Sequence, residues 1–371
     1  MKTNTTPSVD SNSLTSATVV PGGYTLGLDL GDRGHHVCVL DATGQIIREG
    51  ALPNTRPALA KLMAEFAQGT VALEAGTHSP WISRYLTELG AKVIVANPRK
   101  LHAISRHERK CDRRDAQMLA RLARADPALL HPIRHGTAQA QHDLLGLKLR
   151  DALVRTRVNL INAVRFTLKS LGHSVRNPSS ESFHKTVLAD VPGDCLPVVQ
   201  PLLTVLAQVT EQIKGMERDL VQRSKKDYPA TQRLQQIAGV GPLTALCFVL
   251  KIGDPKRFSR GRDVGAYLGL CPRRDQSGGT DKQLRISKCG DGLMRRLLVS
   301  AAHYILGPFG PPCALREHGQ RLAGTGSVRE KKRAVVAVAR KLAVLLLSLW
   351  KHSTDYESRV TASPALVMTP A

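Results

Sequence analysis

Two short apolar runs that each close on an acid constrain this chain more than any other feature. YTLGLDL, residues 24–30, carries Asp29 near its end, and TVALE, residues 70–74, ends in Glu74. Uninterrupted apolar runs of this length, bounded by turn residues, read as buried strands. The segments around them complete a pattern. Val37 to Leu40 and Gln45 to Glu49 flank Asp41-Ala42-Thr43-Gly44, a hairpin signal. Asn54, with Pro57 in the first turn, opens a helix running to about Ala67. Ser79 or Thr77 caps a second helix, Lys92 to Ala96 is a further strand ended by Asn97-Pro98, and a helix follows Cys111. Three strands, helix, strand, helix, strand, helix is the order of a mixed sheet flanked by helices, an α/β layer.

The ribonuclease H-like fold has this order, which places an α/β domain over 23–128. Beyond it the pattern becomes all-α. Thr137 to Ser170 is helical, and a Pro/Ser-rich break covers 177–182. Leu202, Leu206, Val209, Ile213, Met216 and Leu220 then repeat at heptad spacing. Two long helices around a break predict an antiparallel coiled-coil arm over 137–226; an ordinary bundle helix fits the same spacing. A third domain spans 230–352. IAGVGPLTALCFVLKIGD sets Gly239 and Gly241 between two helical runs, the pattern of a helix-hairpin-helix whose turn N–H groups can meet a phosphate. A basic, glycine-rich stretch follows, with Ser277-Gly278-Gly279 in a flexible loop, and residues 330–350 form a last helix. Residues 1–22 and 353–371 read as tails.

Lys plus Arg is 53 against 30 Asp plus Glu, a formal charge of +23. That balance points to a polyanionic partner, nucleic acid, rather than to a fold. The basic residues are spread over several elements, so an anionic membrane surface fits less well. The most apolar stretch, Ala334 to Trp350, is interrupted by Arg340 and Lys341 and does not suit a bilayer span. Seven cysteines form no metal-binding spacing and read as free thiols of a reducing cytoplasm, with the nucleoid as the expected place of action. Aromatics are 4% of the chain, which disfavours base-stacking platforms of the single-strand-binding kind, and Trp81 and Trp350 read as core.

Asp112 and Asp115 lie three apart and share a helix face. Taken alone, the pair suits a solvated face salt-bridged by Arg109, Lys110, Arg113 and Arg114. Asp29 and Glu74 change the argument, because a strand-end carboxylate is costly to bury without a partner. Four hard oxygen donors converging from two strands and a helix can hold Mg²⁺, and paired ions stabilise both oxygens of a phosphoryl transfer. Asp32 and Asp41 compete with Asp29, from a turn and a hairpin. Ser277 is the candidate nucleophile, with Gly278 and Gly279 for mobility and Arg273, Arg274, Lys282 and Arg285 for charge. No base sits beside it in the sequence, a polar turn explains the same residues, and Ser287 and Ser259 compete on equal grounds. Lys288, Arg295 and Arg296 belong to the same basic stretch, which can serve only to bind phosphate backbone. His35, His36, His78 and His107 lack ligand spacing and read as structural or phosphate-facing.

GLDLGDRGHHVCVLD, VALEAGTHSPWISRYLTELGAKVIVANPRKL and KCDRRDAQMLARLAR together resemble the amino-terminal domain of the DEDD transposases of the insertion-sequence one-hundred-and-ten family. RLQQIAGVGPLTALCFVLKIGDPKRFSRGRDVGAYLGLCPRRDQSGG and RISKCGDGLMRRLL resemble that family's carboxy-terminal transposase domain. The likeness runs over roughly residues 24–350. It implies a RuvC-like domain, a coiled coil and a helical transposase domain. It implies Asp29, Glu74, Asp112 and Asp115 as the Mg²⁺-binding acids, and Ser277 as the serine that attacks DNA to form a phosphoserine link. It further implies a structured RNA from the element, bridging donor and target DNA by pairing, and homodimers meeting in a tetramer. Two positions depart from the family pattern. The usual Lys before the DxxD pair is Cys111, which bears on a phosphate contact. The usual Asn after the late glycine is Asp291, which adds negative charge near the DNA-facing loop. Two other readings stand beside this one: a Holliday-junction-type nuclease that activates water, and a non-catalytic nucleic-acid-binding protein.

Overall fold

The computed structural model describes residues 23–101 and 111–358. The chain forms two compact units, one up to His135 and one from Gly136 on. The arm expected at 137–226 and the domain expected at 230–352 thus fall in one unit.

The first unit is a five-stranded sheet in the order β3-β2-β1-β4-β5, formed by β1 (Thr25–Leu30), β2 (Gly34–Leu40), β3 (Ile46–Pro53), β4 (Thr70–Glu74) and β5 (Lys92–Ala96). β1, β2 and β3 pair antiparallel, while β4 lies parallel between β1 and β5. Helices α1 (Arg56–Glu65) and α2 (Ser79–Glu88) follow β3 and β4; α3 (Pro98–Leu101) and α4 (Asp112–Ala125) follow β5. Strand alternation sorts the two faces. Leu26, Leu28, Val71 and Leu73 pack with Leu59, Leu62, Ile82 and Leu86 of α1 and α2. Ala72, Ile94 and Ala96 pack with Leu119 and Ala123 of α4, and Cys38 and Leu40 with Ala116 and Ala120. Gly27 belongs to this second face. A Cβ there would overlap the Ala116 carbonyl and meet the Ala120 nitrogen at 2.7 Å, so only glycine lets α4 lie directly on β1. Trp81 is partly buried against the α1–α2 core.

Two expected caps differ. Thr55, not Asn54, caps α1, and the Asn54 amide instead donates to the Gly31 and Asp32 carbonyls, tying β3 to the β1–β2 turn. α2 has His78 at its N-cap with no side-chain cap, while the Ser79 hydroxyl donates to the Gly76 carbonyl and accepts from the Gly76 N–H. Both polar side chains found stronger tertiary or turn partners than the helix end offered.

The second unit begins with α5 (Ala138–Ser170), short α6 (Phe183–Thr186) and α7 (Leu196–Asp227). Arg150 pairs with Glu217 and Arg223 with Asp143, so α5 and α7 run antiparallel. The buried seam of α7 is Val199, Leu203, Leu206, Thr210, Ile213, Leu220 and Ser224. The expected Leu202, Val209 and Met216 are only partly buried. Counting apolar residues alone misplaced them, because the true heptad passes through polar Thr210, Glu217 and Ser224. Asp143 is fully buried near one end of this pair and takes bonds from Tyr228 at 2.6 Å, Arg223 at 2.8 Å and Gln139 at 3.1 Å. Arg157 is 7% exposed, with Nε and Nη1 unbonded among the described residues.

The rest packs around one apolar core. It comprises α8 (Ala230–Leu234), α9 (Pro242–Ile252), α10 (Asp263–Tyr267), a ribbon of β6 (Pro272–Ser277) and β7 (Thr280–Ile286), then α11 (Gly292–Leu306), α12 (Ala314–Ala323) and α13 (Val328–His352). α9 and α13 supply nearly half of that core, and Trp350 packs against it. The ribbon corrects the expectation of a flexible loop in an all-helical domain. Its charged, fully exposed residues carry no apolar alternation to reveal strands. No described helix is long and apolar enough to cross a membrane, and all seven cysteines are free.

Candidate active site

The first unit brings its acids to one edge and one face. In β1, Thr25, Gly27 and Asp29 alternate onto the α4 side; in β4, Thr70, Ala72 and Glu74 do the same. The parallel register runs to Leu28 opposite Leu73, so Asp29 and Glu74 are the next residues on neighbouring strands. α4 lies antiparallel to β1. Its last turn reaches the β2–β3 hairpin, where Arg124 donates to the Ala42 carbonyl at 2.8 Å. Its first turn, with Asp112 and Asp115, therefore reaches the carboxyl ends of β1 and β4. The positive end of the helix dipole favours carboxylates there.

Asp29 and Asp112 line one cleft of about 420 Å³, together with Leu30, Gly31, Gly34, His35, His36 and Ala51. Glu74 and Asp115 share the edge without lining that cleft. Among the described residues no three acidic, His or Cys side chains stand close enough to hold an ion. Asp32 is bonded to His78 at the N-cap of α2 at 2.9 Å, and Asp41 accepts from Thr43 and Gln45 within its own hairpin.

Sequence reasoning missed two residues here. His36 pairs directly with Asp29 across β1 and β2, hence on the same face. The turn at Gly31–Gly34 sets this register and was the available signal. Glu49 of β3 reaches α4: Arg113 donates to it at 2.9 Å, and Gln117 bonds it as well. It holds the turn of α4 that carries the acid pair, and no sequence signal links residues 49 and 113. Burial alone would push the Glu49 carboxyl up; bonds from Gln117, Arg113 and Cys38 outweigh it and hold it below the usual range. Burial pushes the His35 imidazole down, towards the neutral form. Arg113 is thus engaged with Glu49, Arg114 is exposed, and Arg109, Lys110 and His107 lie outside the described residues.

In the second unit, Ser277 ends β6 opposite Thr280, across a two-residue loop whose Gly278 has φ 54°. A positive φ at that position suits the tight hairpin turns that match strand twist. The register places Asp275 opposite Lys282, and alternation puts both on the Ser277 face. An acid and a cation therefore flank the hydroxyl, and the i, i+2 spacing of Asp275 and Ser277 was the overlooked signal. Arg274 pairs instead with Asp281 on the other face.

Other predicted contacts are engaged inside the fold. Arg295 donates to the carbonyls of Leu268, Cys289 and Gly290, and Arg296 pairs with Asp151 at 2.6 Å. Asp291 caps α11 and pairs with Lys251 at 2.6 Å. Burial would raise its carboxyl, but Lys251 and the Met294 N–H outweigh this and hold it low, so its charge is answered within the fold. Arg273, Lys282, Arg285 and Lys288 are exposed and make no ion pair among the described residues. Gly239 lies in the turn between α8 and α9 against Tyr304, and Gly241 caps α9 with open space around it.

Residues 26–172 match the family described as DEDD_Tnp_IS110: Transposase, and residues 231–313 match the Transposase IS116/IS110/IS902 family. The chain is 32% identical over 289 residues to the transposase for insertion sequence element IS1328 of Yersinia enterocolitica, covering 76% of this chain and 84% of that protein. It is 29% identical over 346 residues to the transposase for insertion sequence element IS1111A of Coxiella burnetii, covering 89% and 90%. A pilin gene-inverting protein of Moraxella bovis is 24% identical over 296 residues, covering 77% and 80%.

Proposed function

The chain belongs to the IS110 family of DEDD transposases and is a DNA transposase, and we propose that it cuts and rejoins DNA through a carboxylate edge and a serine nucleophile. The observation that carries this reading is the cleft lined by both Asp29 of β1 and Asp112 of α4, with Glu74 and Asp115 on the elements beside it. Their oxygens are the hard donors that Mg²⁺ prefers, and the cleft shared by Asp29 and Asp112 offers it room. Asp29 and Asp112 would hold the ion, with Glu74 and Asp115 completing the acid set; when bound, it neutralises charge developing on phosphoryl oxygens. Glu49 keeps the α4 turn in place through Arg113 and Gln117.

Ser277 is the nucleophile in this reading. Its Oγ forms a bond to the scissile phosphorus while one P–O bond of the phosphodiester breaks. The hydroxyl proton of Ser277 goes to Asp275 or solvent, and the departing deoxyribose oxygen takes a proton from solvent to leave as a hydroxyl. Rejoining reverses these bonds on a second strand end. Lys282 on the same face supplies positive charge for the pentavalent phosphorus. Arg114, Arg273, Arg285 and Lys288 hold nucleic-acid backbone, and the turn at Gly239–Gly241 contacts a phosphate as a helix-hairpin-helix does. The α5–α7 pair is the coiled-coil arm of a dimer that assembles further. A structured RNA guides the reaction by pairing; the formal charge of +23 supports binding two polyanions at once.

A covalent-adduct trap tests the reading. Protein with its co-purifying RNA is incubated with labelled element-end and target DNA in Mg²⁺ and quenched in detergent. Label on the wild-type protein, lost in both Ser277→Ala and Asp112→Ala, is the expected result. Asp112→Ala should lower the rate by on the order of 10²–10³-fold or more while leaving DNA binding intact or tighter. An adduct that survives Ser277→Ala moves the nucleophile, to Ser287 first. Cleaved DNA with no adduct in any sample means that water, not serine, attacks.

A further inference from the structure

The loop after α11, Gly307-Pro308-Phe309-Gly310-Pro311-Pro312, holds an aromatic ring out into solvent. Phe309 is 82% exposed, more than any other large apolar side chain among the described residues. Such a ring at the tip of a floppy loop would carry no argument, but this loop is built. The Gly310 N–H donates to the Gly307 carbonyl at 3.2 Å, closing a turn with Pro308 and Phe309 at its centre. Pro308 presets the first central position, Phe309 does not need positive φ, and glycine follows, which is a type I turn. Arg316 of α12 then ties the loop from below. Its Nη1 donates to the carbonyls of Ile305 at 2.8 Å, Gly307 at 2.6 Å and Gly310 at 2.8 Å. A Cβ on Gly310 would collide with the Ile305 carbonyl and with that guanidinium. One cation therefore spends its donors on the shape of a loop whose central side chain packs on nothing.

The loop also stands beside the candidate phosphate turn. Pro311, Pro312 and Cys313 line one hollow of about 240 Å³ with Gln236, Ile237 and Ala238, the residues just before Gly239. Tyr304, 46% exposed, lies between, with ring carbon Cδ1 3.0 Å from where a Cβ on Gly239 would sit. A preset ring on a loop whose far end shares a hollow with the residues before the Gly239 turn, in a protein that acts on DNA, matches how nucleic-acid enzymes engage an unstacked base: backbone held on one side, an apolar side chain stacked on the base or wedged at the step. A protein partner fits less well. A stable protein interface needs several hundred Å² from each side, and Phe309 is a single ring among glycines and prolines.

We propose that Phe309 is a stacking finger for an unpaired nucleobase of the bound strand, positioned by the Arg316-tied turn. The low aromatic content disfavours a stacking platform of many rings but leaves room for one ring placed where a base is exposed. The phosphate contact of the neighbouring turn rests on the function proposed above; the stacking itself is read by binding alone, so its failure and a failed adduct trap are separable.

The test uses the full chain with short single-stranded oligothymidylate, the matching oligouridylate and a duplex of the same length, in a titration series over salt. Phe309→Ala, which removes no buried contact, is expected to weaken single-strand binding by about 5- to 150-fold. The slope of log affinity against log salt stays unchanged, because no charge is lost. Phe309→Trp retains wild-type binding, and a 5-iodouracil photo-crosslink in wild type maps to the peptide holding Phe309. Equal effects on both oligonucleotides assign the base as the shared ligand; an effect confined to oligothymidylate assigns the DNA strand. Unchanged binding in Phe309→Ala, with the crosslink elsewhere, overturns the proposal. So does a shift of the DNA-free protein to smaller species in sedimentation with DNA affinity intact, since the ring would then be a contact between protein chains.

Discussion

The acid edge of the first unit and the serine ribbon of the second are built by opposite means. Asp29, Glu74 and the Asp112–Asp115 pair come from three distant parts of the chain and meet because the helix and sheet beneath them are close-packed. Gly27 lets α4 lie on β1, and Ala116 and Ala120 fill the contact. Glu49 then fixes the start of α4 from the edge strand β3 on the same face of the sheet. Ser277, Asp275 and Lys282 lie within a few residues of one another, on strands with no core face at all. Their arrangement follows from a tight turn and the alternation of side chains. Acids whose spacing matters gain from a rigid support; a serine with the role proposed for Ser277 gains from an exposed, locally specified ribbon.

Substitutions that attack each support should separate the two. The largest effect is expected from Gly27→Val, whose side chain has no space against Ala116 and Ala120. It should cost about 4 kcal/mol and unfold the first unit while the second still melts on its own, seen as one lost transition in calorimetry. If the whole chain melts as one step in wild type and variant alike, the contrast between separately supported sites is wrong.

Glu49→Gln comes next, at about 1.5 to 3 kcal/mol for bonds to a charged acceptor. It also has a pH signature. The folded Glu49 carboxyl is held below its ordinary 4.5, so its contribution is full above that value and is lost as pH falls through the folded one. In Glu49→Gln the acid-side loss of stability should be smaller than in wild type, measured by denaturant titration across that range.

Gly278→Ala should cost about 1 kcal/mol or a little more, the strain of a left-handed alanine, and leave both melting transitions in place. Adduct formation should fall nonetheless, because the hairpin tip beside Ser277 is altered. The smallest change concerns the arm. Arg157 is buried with two unbonded nitrogens, so Arg157→Met should be neutral or stabilising by about 1 kcal/mol. A clear loss of stability there would mean that the guanidinium has an acceptor in the assembled protein.

Much of the first unit was legible in the sequence. Apolar runs, turn residues and their order specify strands and helices because buried backbone must pair and buried side chains must be apolar. Asp29 and Glu74 drew notice for a related reason, since a carboxylate at the end of a buried strand needs a partner, whereas the Asp112–Asp115 pair by itself suited a solvated helix face. The caps of α1 and α2 were misassigned, because Asn54 and Ser79 had better partners far away or in a turn. Leu206, Ile213 and Leu220 of the expected α7 seam are buried, but Leu202, Val209 and Met216 are each one position off it, because the other seam row runs through polar Thr210, Glu217 and Ser224.

By itself, then, the sequence determined the alternating α/β order, the positive charge and the candidate acids, all properties of composition and short-range periodicity. Tertiary structure alone decided that β4 lies between β1 and β5, that His36 faces Asp29, and that Glu49 grips α4. It alone decided that Arg295, Arg296 and Asp291 find partners within the fold, and that Phe309 is lifted clear of it. These depend on pairings between residues far apart in the chain, where one-dimensional spacing carries no distance information and the partner of a charge is chosen only when the chain is packed.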